Sequence, residues 1–145
     1  MVTVSDLLKT KGTEVYRISP TTTIQAALHL MAQKDIGAVP VVDEKEKLAG
    51  IFSERDFARL LAKEGCFPLE TPIRDIMTKK VFTVTPSTSM EECMQLMTDK
   101  HIRHLPVVEG DCLIGMISIG DVVKTVISSQ KEFIDQLEGY ISGRW

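Results

Sequence analysis

The chain has 145 residues, of which 43% are hydrophobic and 26% are charged, and its formal net charge is −3. This composition is ordinary for a globular protein, and the length fits one compact domain or two small units sharing a core. A negative net charge without a basic run argues against a nucleic-acid or anionic-membrane partner. The start of the chain lacks a secretory pattern, and no stretch has the roughly 18 to 20 apolar residues of a membrane span. We therefore expect a cytoplasmic location.

The cysteines and histidines give no sign of a metal or disulfide framework. Cys66, Cys93 and Cys112 are an odd number at wide spacings, without a C-x-x-C pair, which predicts neither a disulfide scaffold nor a zinc site. Cys93 falls in a helical pattern, where we expect a small apolar packing residue. The three histidines have no metal-ligand spacing with carboxylates, so we predict no metal.

The main feature of the sequence is an internal repeat. Residues 36–57 read IGAVPVVDEKEKLAGIFSERDF, and residues 102–123 read IRHLPVVEGDCLIGMISIGDVV. The correspondence pairs Pro40 with Pro106, Gly50 with Gly115, Ser53 with Ser118, and Asp56 with Asp121. Such a repeat must be recognised before a fold is assigned.

Each copy predicts the same succession of elements. A helical lead-in (4–9 and 73–78) precedes a short strand (15–19 and 81–85) that stops at a proline. Ser/Thr clusters then cap an amphipathic helix, predicted at 24–34 and 90–100. Two apolar strands around a charged turn follow, and closing helices are predicted at 54–63 and from 119 to at least 127.

The predicted class is α/β (α+β), with two β-α-β-β-α repeats. Neither copy, at about 50 residues, buries enough apolar surface alone, so we expect the two to pack together. We predict repeat 1 with its lead-in at 1–66, repeat 2 at 67–128 and a C-terminal amphipathic tail at 129–145.

The tail has an apolar face that the repeat does not explain. Its members are Phe133, Ile134, Leu137, Tyr140 and Ile141, before Gly143 is expected to stop the helix. This face must cover either the module's own surface or a second subunit, and we expect a homodimer.

Each copy ends in G-h-h-S-x-x-D, where h is apolar: GIFSERD and GMISIGD. Taken singly, the motif is close to a capping box that begins a helix. Its recurrence after a glycine-led buried strand adds a second interpretation. A hydroxyl at a helix start suits phosphate, and a carboxylate one turn further on suits ribose hydroxyls.

These motifs together resemble a pair of cystathionine beta-synthase (CBS) domains, as found in stand-alone CBS domain-containing proteins. The same regulatory module occurs in the gamma subunit of AMP-activated protein kinase. The resemblance rests on the lead-ins VSDLLK and IRDIMT, the strands GAVPVVD and RHLPVVE, and the two motif ends. It covers nearly the whole chain before the tail. It implies pseudo-twofold packing with two clefts that bind adenine nucleotide.

Carried onto this chain, the resemblance implies two clefts of unequal charge. The first holds ribose at Asp121 with Ser118, phosphate near Arg103 and His104, and adenine against Thr13, Ile36, Gly37 and Ala38. The second uses Ser53 and Asp56, with adenine against Ile102, Arg103, His104 and Thr78, and Arg55 as the substitute for a phosphate contact. Since Arg103-His104 correspond to the uncharged Gly37-Ala38, we predict tighter binding in the Asp121 cleft.

The function predicted is a non-catalytic, energy- or redox-sensing regulatory module that acts on a partner enzyme. Its ligand would be AMP, ADP, ATP, NAD(H) or S-adenosylmethionine, with no catalytic cofactor. The alternative is a dimerisation or scaffold module without nucleotide. A nucleotide hydrolase is disfavoured because no P-loop with its lysine is present.

Overall fold

The computed structural model describes residues 1–142, and its elements follow the predicted order. The helices are α1 (Val4–Lys11), α2 (Ile24–Lys34), α3 (Glu54–Glu64), α4 (Met90–Lys100) and α5 (Ile119–Ser142). The strands are β1 (Ala38–Val42), β2 (Leu48–Ser53), β3 (His104–Glu109) and β4 (Cys112–Ser118), and a 3₁₀ turn spans Ile73–Asp75. The mixed helix-and-strand class is confirmed, and α2 and α4 have the predicted bounds. Gly143, the predicted helix stop, lies outside the described residues.

The strands form two equivalent antiparallel hairpins. β1 pairs with β2 so that Val41 lies opposite Gly50, and β3 pairs with β4 so that Val107 lies opposite Gly115. The register shifts by one position immediately after each valine. The sequence repeat therefore specifies one hairpin twice, including its bulge.

The predicted strands at 15–19 and 81–85 are much shorter than expected. Ile18 forms a single parallel bridge to Val41, and Val84 forms the equivalent bridge to Val107. Proline explains why both strands are so short, because it has no N–H to donate to the hydrogen bonds between strands. Pro40 on β1 has no N–H to donate to the residues before Ile18. Pro20 ends the pairing after Ile18. The second copy has Pro106 and Pro86 in the same places.

Two hydrophobic clusters form the core, and each includes side chains from the lead-in of the other repeat. Ile73, from the second lead-in, is fully buried among α2, β1 and β2. Val4, Leu7 and Leu8 of α1 pack with α4, β3 and β4. Backbone hydrogen bonds fix the exchange, with Val4 N–H donating to the Thr88 carbonyl at 2.8 Å. The two repeats are thus interlocked.

The two lead-ins differ in conformation. α1 runs to Lys11 and ends at Gly12, whose φ of 96° suits glycine. The predicted helix at 73–78 is only the 3₁₀ turn, because Thr78 instead pairs with Ile51 of β2 through two 3.0 Å backbone hydrogen bonds. The two lead-ins therefore place different groups beside β2 and β4.

The closing helix of the second repeat and the predicted tail form one continuous helix, α5, of 24 residues. Its first half packs on the core through the buried Val122 and the half-buried Val126. Its second half carries the exposed apolar residues predicted for the tail. None of the helices in residues 1–142 is long and apolar enough to span a membrane.

Candidate functional site

The two Ser-x-x-Asp motifs begin helices α3 and α5, as the capping interpretation predicts. The hydroxyl oxygen of Ser53 accepts the Asp56 N–H at 3.1 Å, and that of Ser118 accepts the Asp121 N–H at 3.2 Å. In the second copy the Ser118 N–H also donates to Asp121 Oδ2 at 2.8 Å, which completes a reciprocal box. Capping therefore uses the Asp121 carboxylate itself.

A cavity of about 560 Å³ opens beside Asp56, between the two repeats. Ser53, Arg55 and Asp56 line it from the start of α3, and Thr78 lines it from the second lead-in. The Asp56 carboxylate accepts a 3.4 Å hydrogen bond from the Thr78 hydroxyl. Four residues predicted for this second cleft thus surround one space, and its volume is typical of a small-molecule site.

Residues at the starts of β1 and β3 also line this cavity. They are Gly37, Ala38, Ile102, Arg103 and His104. Arg103 and His104 were predicted near phosphate in the Asp121 cleft and against adenine in the Asp56 cleft, and both line the Asp56 cavity. The charge of Asp121 also acts on His104. The repeat correspondence locates a residue along its own hairpin, whereas the packing of the two repeats decides which cleft it lines. Thr13 and Ile36 do not line this cavity.

Basic side chains are concentrated around the cavity. Five lysines and arginines line it together with a single carboxylate, that of Asp56, and the five are Arg55, Arg59, Lys80, Lys100 and Arg103. Arg55 Nη1 also donates to the His101 carbonyl at 3.4 Å, which brings it across to the second repeat. A positive, partly apolar cavity of this kind suits an anionic ligand with a planar apolar part.

Sequence reasoning missed Arg59, Lys80 and Lys100. Arg59 lies one helical turn after Arg55, and this i, i+4 spacing was a signal that both would share a face of α3. Lys100 lies at the C-terminal end of α4, with Nζ 5.1 Å from the centre of the Phe82 ring. No local pattern linked it to Asp56, because the two belong to different repeats.

Asp121 is differently placed. Its Oδ2 lies 2.5 Å from Lys11 Nζ, and the two side chains are 26% and 37% exposed. Burial acts to raise the pKa of Asp121, but the hydrogen bonds from Lys11 and from the Ser118 amide outweigh it and hold the pKa below its ordinary value. The carboxylate predicted to bind ribose is therefore ionised and paired within the protein.

His104 lies between the two carboxylate sites. Burial lowers its pKa, and the positive charge of Lys11 adds to this effect against the opposing charge of Asp121. Gly37 faces the imidazole, since a methyl group at that position would lie 3.6 Å from His104 Cε1. His104 is therefore held neutral near physiological pH.

Within residues 1–142, no cluster of three or more histidine, cysteine or acidic side chains could hold a metal ion. All three cysteines are free. Cys93 is buried at the predicted packing position, and burial raises the pKa of its thiol to about 11.

The hairpins, the interlocked lead-ins and the cleft between repeats define a known class of paired module. The sequence profile of the CBS domain matches residues 4–63 and 73–128. The chain therefore belongs to the CBS domain family.

Relatives and solved structures agree with this assignment. CBSX3, a mitochondrial CBS domain-containing protein of Arabidopsis thaliana, is 41% identical over 97% of this chain and 72% of its own length. The crystal structure of a CBS-domain containing protein from Agrobacterium tumefaciens is 38% identical, with a TM-score of 0.81 over 86% of this chain and 98% of that one. CBSX2, solved in complex with AMP, is 26% identical with a TM-score of 0.73 over 90% of this chain and 99% of that one.

Proposed function

We propose that this chain is a regulatory module that binds an adenine nucleotide in the Asp56 cavity and catalyses no reaction. The observation that carries the proposal is one carboxylate at a helix start, in a cavity between the repeats that five basic side chains also line. A carboxylate in this place suits the two hydroxyls of a ribose. The basic groups suit the phosphates.

The cavity wall also suits the base. Gly37 and Ala38 have little or no side chain, so a flat ring can approach the backbone at the start of β1. Ile51 and Ile102 provide apolar surface on either side. CBSX2 was solved with AMP bound, which supports an adenine nucleotide as the class of ligand. AMP, ADP, ATP and NAD(H) all contain the adenosine and phosphate that these groups would hold.

This proposal reverses the asymmetry predicted from sequence. Arg103 lines the Asp56 cavity, and the Asp121 carboxylate is already paired with Lys11. A cavity with five basic side chains and one carboxylate carries excess positive charge, which favours an anionic ligand more than a carboxylate already neutralised by a lysine does. We therefore place the tight site at Asp56.

Calorimetric titration of the Asp56→Ala variant with AMP, ADP, ATP, NADH and S-adenosylmethionine tests the proposal. We expect at least a tenfold loss of affinity for the best ligand, because ribose loses its acceptor. Asp121→Ala is the matched control. It should melt at a lower temperature but retain the affinity of the parent protein. Unchanged binding by Asp56→Ala would disprove the assignment.

Two further measurements separate this function from its rivals. A nucleotide that binds only the folded chain raises its melting temperature, whereas a scaffold with unused clefts shows no shift across the panel. Sustained release of phosphate from ATP would contradict the non-catalytic proposal. A cytoplasmic location is also retained as a proposal, although CBSX3 is described as mitochondrial.

We also propose that the chain is a homodimer, joined along the exposed face of α5. Val123, Ile127, Ile134, Leu137 and Ile141 are 44–83% exposed. Their positions fit alternating steps of three and four residues, with Gln130 between Ile127 and Ile134. This spacing forms the seam of a two-stranded coiled coil, so a second α5 is the occupant that fits it best.

Sedimentation of the full chain tests the dimer. We expect a dimer at micromolar concentration and a monomer after truncation following Ser129. An unchanged dimer in the truncated chain would exclude α5 from the interface. A monomeric full chain would refute the dimer itself.

A further inference from the structure

The two lead-ins make different hydrogen bonds to equivalent residues of β2 and β4. In the first repeat, Ile51 exchanges two backbone hydrogen bonds of 3.0 Å with Thr78. Met116 is the equivalent residue of β4, and its carbonyl accepts a 2.7 Å hydrogen bond from Lys11 Nζ. A lysine side chain thus occupies the place that the backbone of an extended segment takes in the other repeat.

The cause is the length of α1. Both lead-ins pack beside the equivalent glycine of the other repeat, with Leu8 next to Gly115 and Met77 next to Gly50. After Met77 the chain is extended, but after Leu8 it stays helical to Lys11. Residues three apart lie on the same helix face, so this extra turn brings Lys11 to the side that already contacts β4.

Lys11 also neutralises Asp121. Its ammonium lies 2.5 Å from Asp121 Oδ2, while the same oxygen accepts the Ser118 N–H at 2.8 Å. The equivalent contact in the first repeat is a long hydrogen bond of 3.4 Å from the uncharged Thr78 hydroxyl to the Asp56 carboxylate. The Lys11 contact is shorter and joins two opposite charges, whereas the Thr78 contact is long and its donor carries no charge, so the Lys11 contact is the stronger of the two.

We propose that Lys11 excludes nucleotide from the Asp121 position, so that each chain binds one ligand, not two. A ribose at Asp121 must displace the ammonium and leave it beside the Met116 carbonyl without its counter-ion. A ribose at Asp56 displaces only a long hydrogen bond. Lys11 is therefore the residue that decides the stoichiometry, an inference that rests on the adenine-nucleotide function proposed above.

Calorimetry on four forms of the full chain tests this inference, with AMP and ATP titrated separately. The forms are the parent protein, Lys11→Met, Lys9→Met, and the double variant Lys11→Met with Asp56→Ala. Methionine keeps most of the lysine stem but removes the charge. Lys9→Met is the matched control, because Lys9 is an exposed lysine of the same last turn. Lys11→Gln replaces Lys11→Met if the latter does not give a single cooperative thermal transition.

We expect one site in the parent and in Lys9→Met, two in Lys11→Met, and one in the double variant. No binding by the double variant, or two sites already in the parent, would overturn the role of Lys11 and leave the Asp56 proposal standing. A parent that binds nothing while the double variant binds one ligand would refute the Asp56 site but support the inference. If no form binds either nucleotide, both proposals are wrong.

Discussion

Replacing the repeat glycines one at a time should reveal how unlike the two repeats are. A methyl group at Gly50 would lie 2.8 Å from the Thr78 carbonyl oxygen and 2.6 Å from Met77 Sδ. The equivalent group at Gly115 would lie 3.1 Å from the end of the Leu8 side chain and 3.8 Å from Val107. The first clash involves backbone that is hydrogen-bonded to Ile51, whereas the second involves a side-chain end.

The expected free energies follow from these contacts. Overpacking a core typically costs about 1–3 kcal/mol. Gly50→Ala should be near the upper end, because the Thr78 backbone must move and its two hydrogen bonds to Ile51 stretch. In Gly115→Ala a small rotation of Leu8 relieves the contact. Alanine also reduces the entropy of the unfolded chain, which offsets roughly 0.4–1 kcal/mol at either site. We expect net losses of about 2–2.5 kcal/mol for Gly50→Ala and less than about 1 kcal/mol for Gly115→Ala.

Thermal and urea unfolding followed by circular dichroism would measure both variants. For a chain of this size 1 kcal/mol corresponds to about 2–4 °C, so Gly50→Ala should melt at least roughly 4 °C lower. Gly50→Ala should also bind nucleotide less tightly, because Thr78 lines the Asp56 cavity. Equal destabilisation by the two variants, or a larger effect of Gly115→Ala, would refute this account of how the lead-ins pack.

Three further predictions concern other parts of the molecule. Burial and nearby positive charge lower the pKa of His104 from 6.5, so the unfolded chain binds the proton more readily and the free energy of unfolding should fall as the pH drops below 6.5. In urea unfolding, His104→Gln should lose less stability than the parent over this pH range, and identical pH profiles of the two proteins would contradict the prediction. Leu137→Glu should be monomeric in sedimentation while its melting temperature stays close to that of a monomeric truncated chain, and a persisting dimer would contradict the α5 interface. In the native chain a thiol reagent at pH 8 should label Cys66 and Cys112, which are exposed, but not Cys93, whose thiol has a pKa of about 11; rapid labelling of all three would contradict its burial.

The sequence by itself determined the features that depend on near neighbours in the chain. The bounds of α2 and α4 follow from Ser/Thr caps and from apolar spacing, and both are local properties. The capping by Ser53 and Ser118 was predictable for the same reason, since each donor and acceptor lie three residues apart. The repeat further implied two equivalent hairpins and a shared core.

Only the tertiary structure decided how the equivalent pieces meet. The exchange of lead-ins puts α1 on the second core, which makes a contact between Lys11 and Asp121 possible across 110 positions. The same packing turns Arg103 and Lys100 toward Asp56, a carboxylate of the other repeat. Sequence correspondence treats the copies as equal, whereas one additional helical turn in α1 pairs the Asp121 carboxylate with Lys11 and no such lysine reaches Asp56 in the described residues. Such contacts depend on distances between segments far apart in the chain, and no local pattern of charge or hydropathy encodes them.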